Sequence, residues 1–173
     1  MRAKERESEM MRILAAIDGS EDSYTAIDEI TQRYFPTGTE VLVLCVVEPV
    51  SLPMTFSEDG VYTQTGDMHL YDVIQRAGEE RARAVVEKAV ARLQACEENR
   101  RLRVTAKVLS GPPKTVILDE AEAFGADLII VGSHGYGVIE RLLLGSVSQT
   151  VALHAKCSVE IVRRPKRQTS DSN

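Results

Sequence analysis

Between residues 11 and 164 the chain alternates short apolar runs with segments whose apolar residues recur every three or four positions. Ile13–Ile17 is an apolar run that ends at Asp18-Gly19-Ser20, the pattern of a buried strand followed by a turn. Ser20 is placed to cap a helix whose first turn carries Glu21 and Asp22, and Ser23, Ala26, Ile27, Ile30 and Tyr34 then follow at helical spacing. Val41–Val47 shows no alternation, which predicts a strand covered on both faces. Glu48–Asp67 carries prolines, glycines and polar residues without a period and reads as a long loop. Ile74, Gly78, Ala82, Val85, Ala89, Leu93 and Cys96 predict a long helix whose stripe of small residues suits close packing on a sheet.

In the second half, Leu102, Val104, Ala106 and Val108 alternate with Arg103, Thr105 and Lys107, as in an edge strand with one wet face. Gly111-Pro112-Pro113 opens a helix carrying Val116, Ile117, Ala121 and Phe124. Leu128–Val131 reads as another buried strand, and Val147, Thr150, Val151 and His154 mark a last helix before the short strand Val159–Val162. Five strands alternating with four helices imply an α/β fold: an open, five-stranded parallel sheet, doubly wound and Rossmann-like, with helices on both faces. The first, second and fourth strands should be central. A single domain over residues 11–164 is expected, with residues 1–10 and 165–173 as polar, flexible tails.

Composition narrows the classes. Of 173 residues, 43% are hydrophobic and 27% charged, which is ordinary for a globular domain. A net charge of -5 gives no general attraction to nucleic acid or to an acidic membrane, so a phosphate ligand must be held locally. The basic residues Arg163, Arg164, Lys166 and Arg167 read as a solvated tail. Cys45, Cys96 and Cys157 are widely spaced in apolar stretches, which predicts reduced core residues rather than a disulfide or metal framework. No apolar run reaches the roughly 18 residues of a membrane span, and Met1–Met10 is charged throughout, so a cytoplasmic location is expected.

Ligands of open parallel sheets bind beyond the carboxyl ends of the strands, near the point where strand order reverses. Two turns compete for that role. After the first strand, Asp18, Glu21 and Asp22 would repel a phosphate. After the fourth, Gly132-Ser133-His134-Gly135-Tyr136-Gly137 has no carboxylate, and Gly145-Ser146 opens the next helix. Glycines admit close backbone approach, and helix-start amides with a serine hydroxyl donate to phosphate oxygens without a lysine. His134 is the only histidine near this turn; it suits backbone positioning or a phosphate hydrogen bond better than catalysis. His69 reads as a loop residue and His154 as a helix C-terminal group. Arg141 reads as a surface arginine or a γ-phosphate contact.

The spacing Gly132-x2-Gly135-x9-Gly145-Ser146, with Ile13–Ser23, Gly125–Gly135 and Arg141–Val147, resembles the ATP-binding class of the universal stress protein family over residues 11–164. The resemblance implies strand order 3-2-1-4-5 and a nucleotide in the crevice between the first and fourth strands. By that similarity Ala16, Asp18 and Val46 border adenine and ribose, while Gly132, Ser133, His134, Gly135, Gly145, Ser146 and Val147 hold the phosphates. It further implies ATP with magnesium or manganese, and a homodimer through the strand Val159–Val162. The function implied is a stress-response module in which ATP stabilises the dimer and orders the Glu48–Asp67 loop. The competing class is an enzyme, either a slow ATPase using His134 or an adenylate-transferring enzyme. The latter's Ser-Gly-Gly-x-Asp-Ser turn is incomplete in Asp18-Gly19-Ser20-Glu21-Asp22-Ser23. Cys157-Ser158 stands where the family usually carries Cys-Pro.

Overall fold

The computed structural model describes residues 10–50, 54–56, 62–64, 68–95, 102–135 and 144–164. Its elements in chain order are β1 (Arg12–Ile17), α1 (Glu21–Thr31), β2 (Glu40–Val47), β3 (Met54–Phe56), β4 (Tyr62–Gln64), α2 (Met68–Ala95), β5 (Arg103–Ser110), α3 (Pro113–Phe124), β6 (Leu128–Gly132), α4 (Ser146–His154) and β7 (Ser158–Val162). Five of the strands form one sheet in the order β5-β2-β1-β6-β7, with every neighbour parallel. Counted along that sheet the order is 3-2-1-4-5, with β5 and β7 at the edges, as expected. The apolar runs became its central strands because both faces of those strands are covered.

Strand parity divides the core. Ile13, Ala15, Ile17, Val41, Val43 and Cys45 pack with Ala26, Ile27 and Ile30 of α1 and Ala82, Val86, Ala89 and Leu93 of α2. Leu14, Ala16, Leu42, Leu44, Ile129 and Val131 face the other way, onto Ile117 and Ala121 of α3 and Val151 of α4. Successive side chains of a strand point to opposite faces, so each buried strand serves two helical layers at once. The chain returns from α3 to the sheet through Gly125, whose left-handed φ of 67° lets Ala126 donate back to the Ala121 carbonyl.

Several expectations need correcting. Helix α1 stops at Thr31, and Tyr34 is 87% exposed, so the buried aromatic of this segment is Tyr24 instead. Lys88 and Arg92 of α2 stack on the Tyr24 ring, 4.5 and 4.6 Å from its centroid, while Arg92 also bonds Asp28. The helical spacing extended to Tyr34 by coincidence, because tertiary contacts end one turn earlier. Glu48–Asp67 is not wholly loop: β3 and β4 pair antiparallel within it. Strands of three residues are too short for alternation to register. Helix α2 begins at Met68, which puts His69 in its first turn rather than in a loop, and its buried stripe starts at Ala82 while Ile74 is exposed. Cys96, residues 1–9 and residues 165–173 lie outside the described residues.

At the start of β7 the Ser158 amide donates to the Asp127 carbonyl at 3.3 Å, a bond that a proline there could not make. Of the described cysteines, Cys45 is buried and Cys157 half-buried, and both are free. Burial pushes the Cys45 thiol up to about 11, with the Asp18 carboxylate adding to the effect and Arg81 opposing it.

Two measurements test this packing. Ile27→Ala, at a fully buried position, should lower unfolding free energy by about 2–5 kcal/mol in a denaturant titration, whereas Tyr34→Ala should change it by less than about 0.5 kcal/mol. Comparable losses at both positions would contradict the end assigned to α1. The raised Cys45 thiol holds its proton in the native state after the unfolded thiol, near pH 8.5, has lost its own. Its contribution is therefore intact below that pH and declines as pH climbs toward 11. Relative to Cys45→Ala, the wild type should lose stability over this window.

Candidate functional site

Strand order reverses between β1 and β6, and a cleft of about 340 Å³ opens there, at the carboxyl ends of the strands. Parity decides most of what β1 and β2 present to it, with Ile17 and Ser23 joining from the other layer. Ala16 and Asp18 from β1 and its turn, and Leu44, Val46 and Glu48 from β2 and its end, all line the cleft on the layer of α3 and α4. Pro113 and Ile117 of α3 supply an apolar wall opposite. Gly132, His134, Gly135, Gly145, Ser146 and Val147 complete the rim. Of the ten residues that the family resemblance assigns to base, ribose and phosphates, all but Ser133 line this one cleft.

Ser133 is turned away. It is 1% exposed, and its hydroxyl donates to Asp22 Oδ2 at 2.7 Å. Its backbone bonds elsewhere too: the amide donates to the Val162 carbonyl at 2.7 Å, and the carbonyl accepts from the Gly145 amide at 2.8 Å. Ser133 thus ties β6 to α1, β7 and the start of α4, and its hydroxyl proton is engaged by Asp22. A parallel bond from Ser148 Oγ to the Gly132 carbonyl, 2.6 Å, clamps α4 from the other side.

The two helix starts near the cleft differ electrically. At α1, Ser20 caps the Ser23 amide, Asp18 Oδ1 accepts from the Ser20 amide at 2.9 Å, and Glu21 and Asp22 occupy the first turn. That end is already supplied with negative charge. Helix α4 begins after Gly145 with no side-chain cap and no acidic residue in its first turn. Its leading amides have no intrahelical acceptor and carry the positive end of the helix dipole, so an anion is favoured at this end of the cleft.

Glycine cradles the same end by leaving room. A Cβ on Gly135 would lie 2.6 Å from Asp18 Oδ2, and one on Gly145 would lie 3.3 Å from the Ser133 carbonyl oxygen. At Gly132 the obstruction is backbone, with the Ser23 nitrogen 2.8 Å and the Asp22 carbonyl carbon 2.9 Å from a Cβ. Among the described residues lining the cleft there is no lysine or arginine, while Asp18 and Glu48 contribute carboxylates. Arg141 lies outside the described residues. His134 Nδ1 sits 2.8 Å from Ser133 Oγ and 3.4 Å from Asp22 Oδ2, and its Nε2 is buried without a hydrogen-bond partner.

This arrangement has the parts that a nucleotide requires: an apolar slot between β2 and α3, polar groups at the strand ends, and an uncapped helix start in the same cleft as the His134 ring. No cluster of three metal-ligating side chains occurs among the described residues, so a divalent cation would depend on the phosphates for most of its ligands. Sequence reasoning missed Glu48, Ile117 and Ser148. Glu48 was available from the rule that strand ends border the ligand, whereas Ile117 and Ser148 carry no signal beyond helix packing.

The model of the Universal stress protein family matches residues 10–163. The "Universal stress protein in QAH/OAS sulfhydrylase 3'region" of Thermus aquaticus is 32% identical over 153 residues, 87% of this chain and 97% of that protein. "Universal stress protein MJ0531" of Methanocaldococcus jannaschii is 34% identical over a shorter match, 47% of this chain and 48% of the relative. Among solved structures, hypothetical protein MJ0577 superposes with a TM-score of 0.72 at 24% identity, covering 90% of this chain and 96% of that one. A universal stress protein solved in complex with cAMP gives 0.61 at 22%, covering 89% and 97%. An Arabidopsis thaliana family protein solved with AMP bound gives 0.58 at 20%, covering 94% and 97%.

The glycines separate fold from cleft. Gly132→Ala presses on backbone and should cost about 1–3 kcal/mol in unfolding free energy. Gly135→Ala meets only the end of the Asp18 side chain and should stay within about 0.5 kcal/mol of wild type. Equal destabilisation by the two, measured by urea unfolding, would contradict the packing described here.

Proposed function

As this chain belongs to the universal stress protein family, we infer that its cleft binds an adenine nucleotide, ATP in the leading reading, and that the protein acts as a nucleotide-responsive regulator in a stress response. The observation that carries the inference is the pairing of an apolar slot with the uncapped, acid-free start of α4 across one 340 Å³ cleft. Relatives of the same fold solved with AMP and with cAMP support a nucleotide as the ligand class.

In this reading the base lies in the slot bordered by Ala16, Val46 and Ile117, with Asp18 and Glu48 as hydrogen-bond acceptors for ribose or exocyclic groups. The phosphates lie against the amides that follow Gly145 and against Gly135. The neighbouring Asp18 and Glu48 carboxylates would oppose a triphosphate, and magnesium or manganese travelling with the phosphates would reduce that opposition. Among the described residues β7 is an edge of the sheet, and a second copy adding to its outer side gives a homodimer whose stability responds to the nucleotide.

The reading is tested by denaturing freshly purified protein and identifying any nucleotide released, followed by titration of emptied protein with Mg-ATP. Wild type should release or bind ATP or ADP. Gly135→Val, which places a branched side chain against Asp18 at the cleft rim, should bind at least about tenfold more weakly. An emptied, folded wild type that takes up no nucleotide would refute the assignment.

A further inference from the structure

The buried, unpartnered Nε2 of His134 is set up by a chain of groups that begins on α1. Asp22 Oδ2 accepts from Ser133 Oγ at 2.7 Å, and as an ionised carboxylate Asp22 has no proton of its own to give. The single hydroxyl proton of Ser133 is therefore committed to Asp22. Ser133 Oγ is also 2.8 Å from His134 Nδ1, so the proton in that contact must belong to the ring. The 3.4 Å approach of Nδ1 to Asp22 Oδ2 asks for the same proton. The network thus assigns the Nδ1–H tautomer, and in the neutral ring Nε2 is a bare acceptor.

The surroundings settle what that nitrogen can do. Asp22 from α1 lies 3.4 Å from Nδ1, and the ring shares the cleft lining with Asp18 from the end of β1, the uncharged Gly145, Ser146 and Val147 from the start of α4, and Glu48 from the end of β2. Glu21, next to Asp22, is exposed and lies 3.9 Å from Arg164. Since the described lining holds no lysine or arginine, the His134 ring is the only lining group there that can become cationic. A neutral Nε2 lone pair repels a phosphate oxygen, whereas a protonated Nε2 donates to it with charge assistance. Asp22 behind the ring stabilises the positive charge from the opposite side.

Resting on the nucleotide reading above, we propose that binding of the phosphates draws a proton from solvent onto His134 Nε2, with Asp22 and Ser133 as positioning residues that hold the ring for it. The proton balance is simple: solvent loses one proton, and the ring passes from neutral Nδ1–H imidazole to imidazolium with no covalent change. Affinity for a phosphate-bearing nucleotide therefore rises as pH falls, by up to about tenfold per pH unit where the free ring is neutral and the bound ring charged. Adenosine, which lacks phosphate, takes up no proton.

Calorimetric titration of the full chain with Mg-ATP in buffers of different ionisation enthalpy counts the protons taken up. Wild type should take up close to one proton more than His134→Gln, which keeps a donor near the Nε2 position but does not titrate. Nitrogen NMR of the three histidines should show His134 as the Nδ1–H tautomer in the free protein and doubly protonated with Mg-ATP. Asp22→Asn should lessen both effects. If His134→Gln does not fold, His69→Gln and His154→Gln assign the wild-type signals by elimination, and the spectra still decide. Binding of Mg-ATP with equal, buffer-independent heats, or an Nε2–H tautomer in the free protein, would overturn the proposal and leave the nucleotide reading standing. Failure to bind Mg-ATP at all would overturn both.

Discussion

A side chain at residue 132 would put its Cβ 2.8 Å from the Ser23 nitrogen, so the end of β6 reaches the first turn of α1 only because Gly132 has none. The cleft depends on that approach. With the backbones in contact, Ser133 meets Asp22, the Ser20 hydroxyl donates to the His134 carbonyl at 3.2 Å, and the turn after β6 is held over the ends of β1 and β2. Gly145 then anchors to the Ser133 carbonyl and Ser148 to the Gly132 carbonyl, which aims the start of α4 at the same space. A chain of short bonds thus runs from α1 through β6 to α4.

This scaffold also sorts charge. Two helices begin beside the strand ends, and both expose unpaired amides as a matter of backbone geometry. The sequence fills one with Ser20, Glu21 and Asp22 and leaves the other open. An anion is therefore directed to α4 by exclusion from α1 as much as by attraction. Asp22, which reads in the sequence as one more repelling carboxylate, is placed 3.4 Å from His134 Nδ1 and outside the described cleft lining.

Family membership agrees with this division of labour without supplying it. The likeness to solved relatives at about a quarter identity or less fixes the fold, while distances on this chain carry the argument for its cleft. The exposed apolar residues Met68, Leu70 and Val73 at the start of α2 stand apart from that cleft, and their exposure explains why the amphipathic pattern of this helix is clean only from Ala82 onward.

The amino-acid sequence by itself determined the central strands, the edge strands and the order of helices, because burial on two faces, on one face or along a stripe leaves distinct periods. It also marked the glycines around the cleft, since their spacing is preserved in the linear chain. It did not mark the end of α1 at Thr31, the β3–β4 pair, or the turning of Ser133 toward Asp22. The β3–β4 strands are too short for a period to register, and the other two depend on neighbours distant in sequence: Tyr24 is buried under Lys88 and Arg92 of α2, and Ser133 meets a residue 111 positions away. Periodicity records whether a residue is covered. Only the tertiary structure decides by what, and a hydroxyl or an imidazole takes its role from that partner.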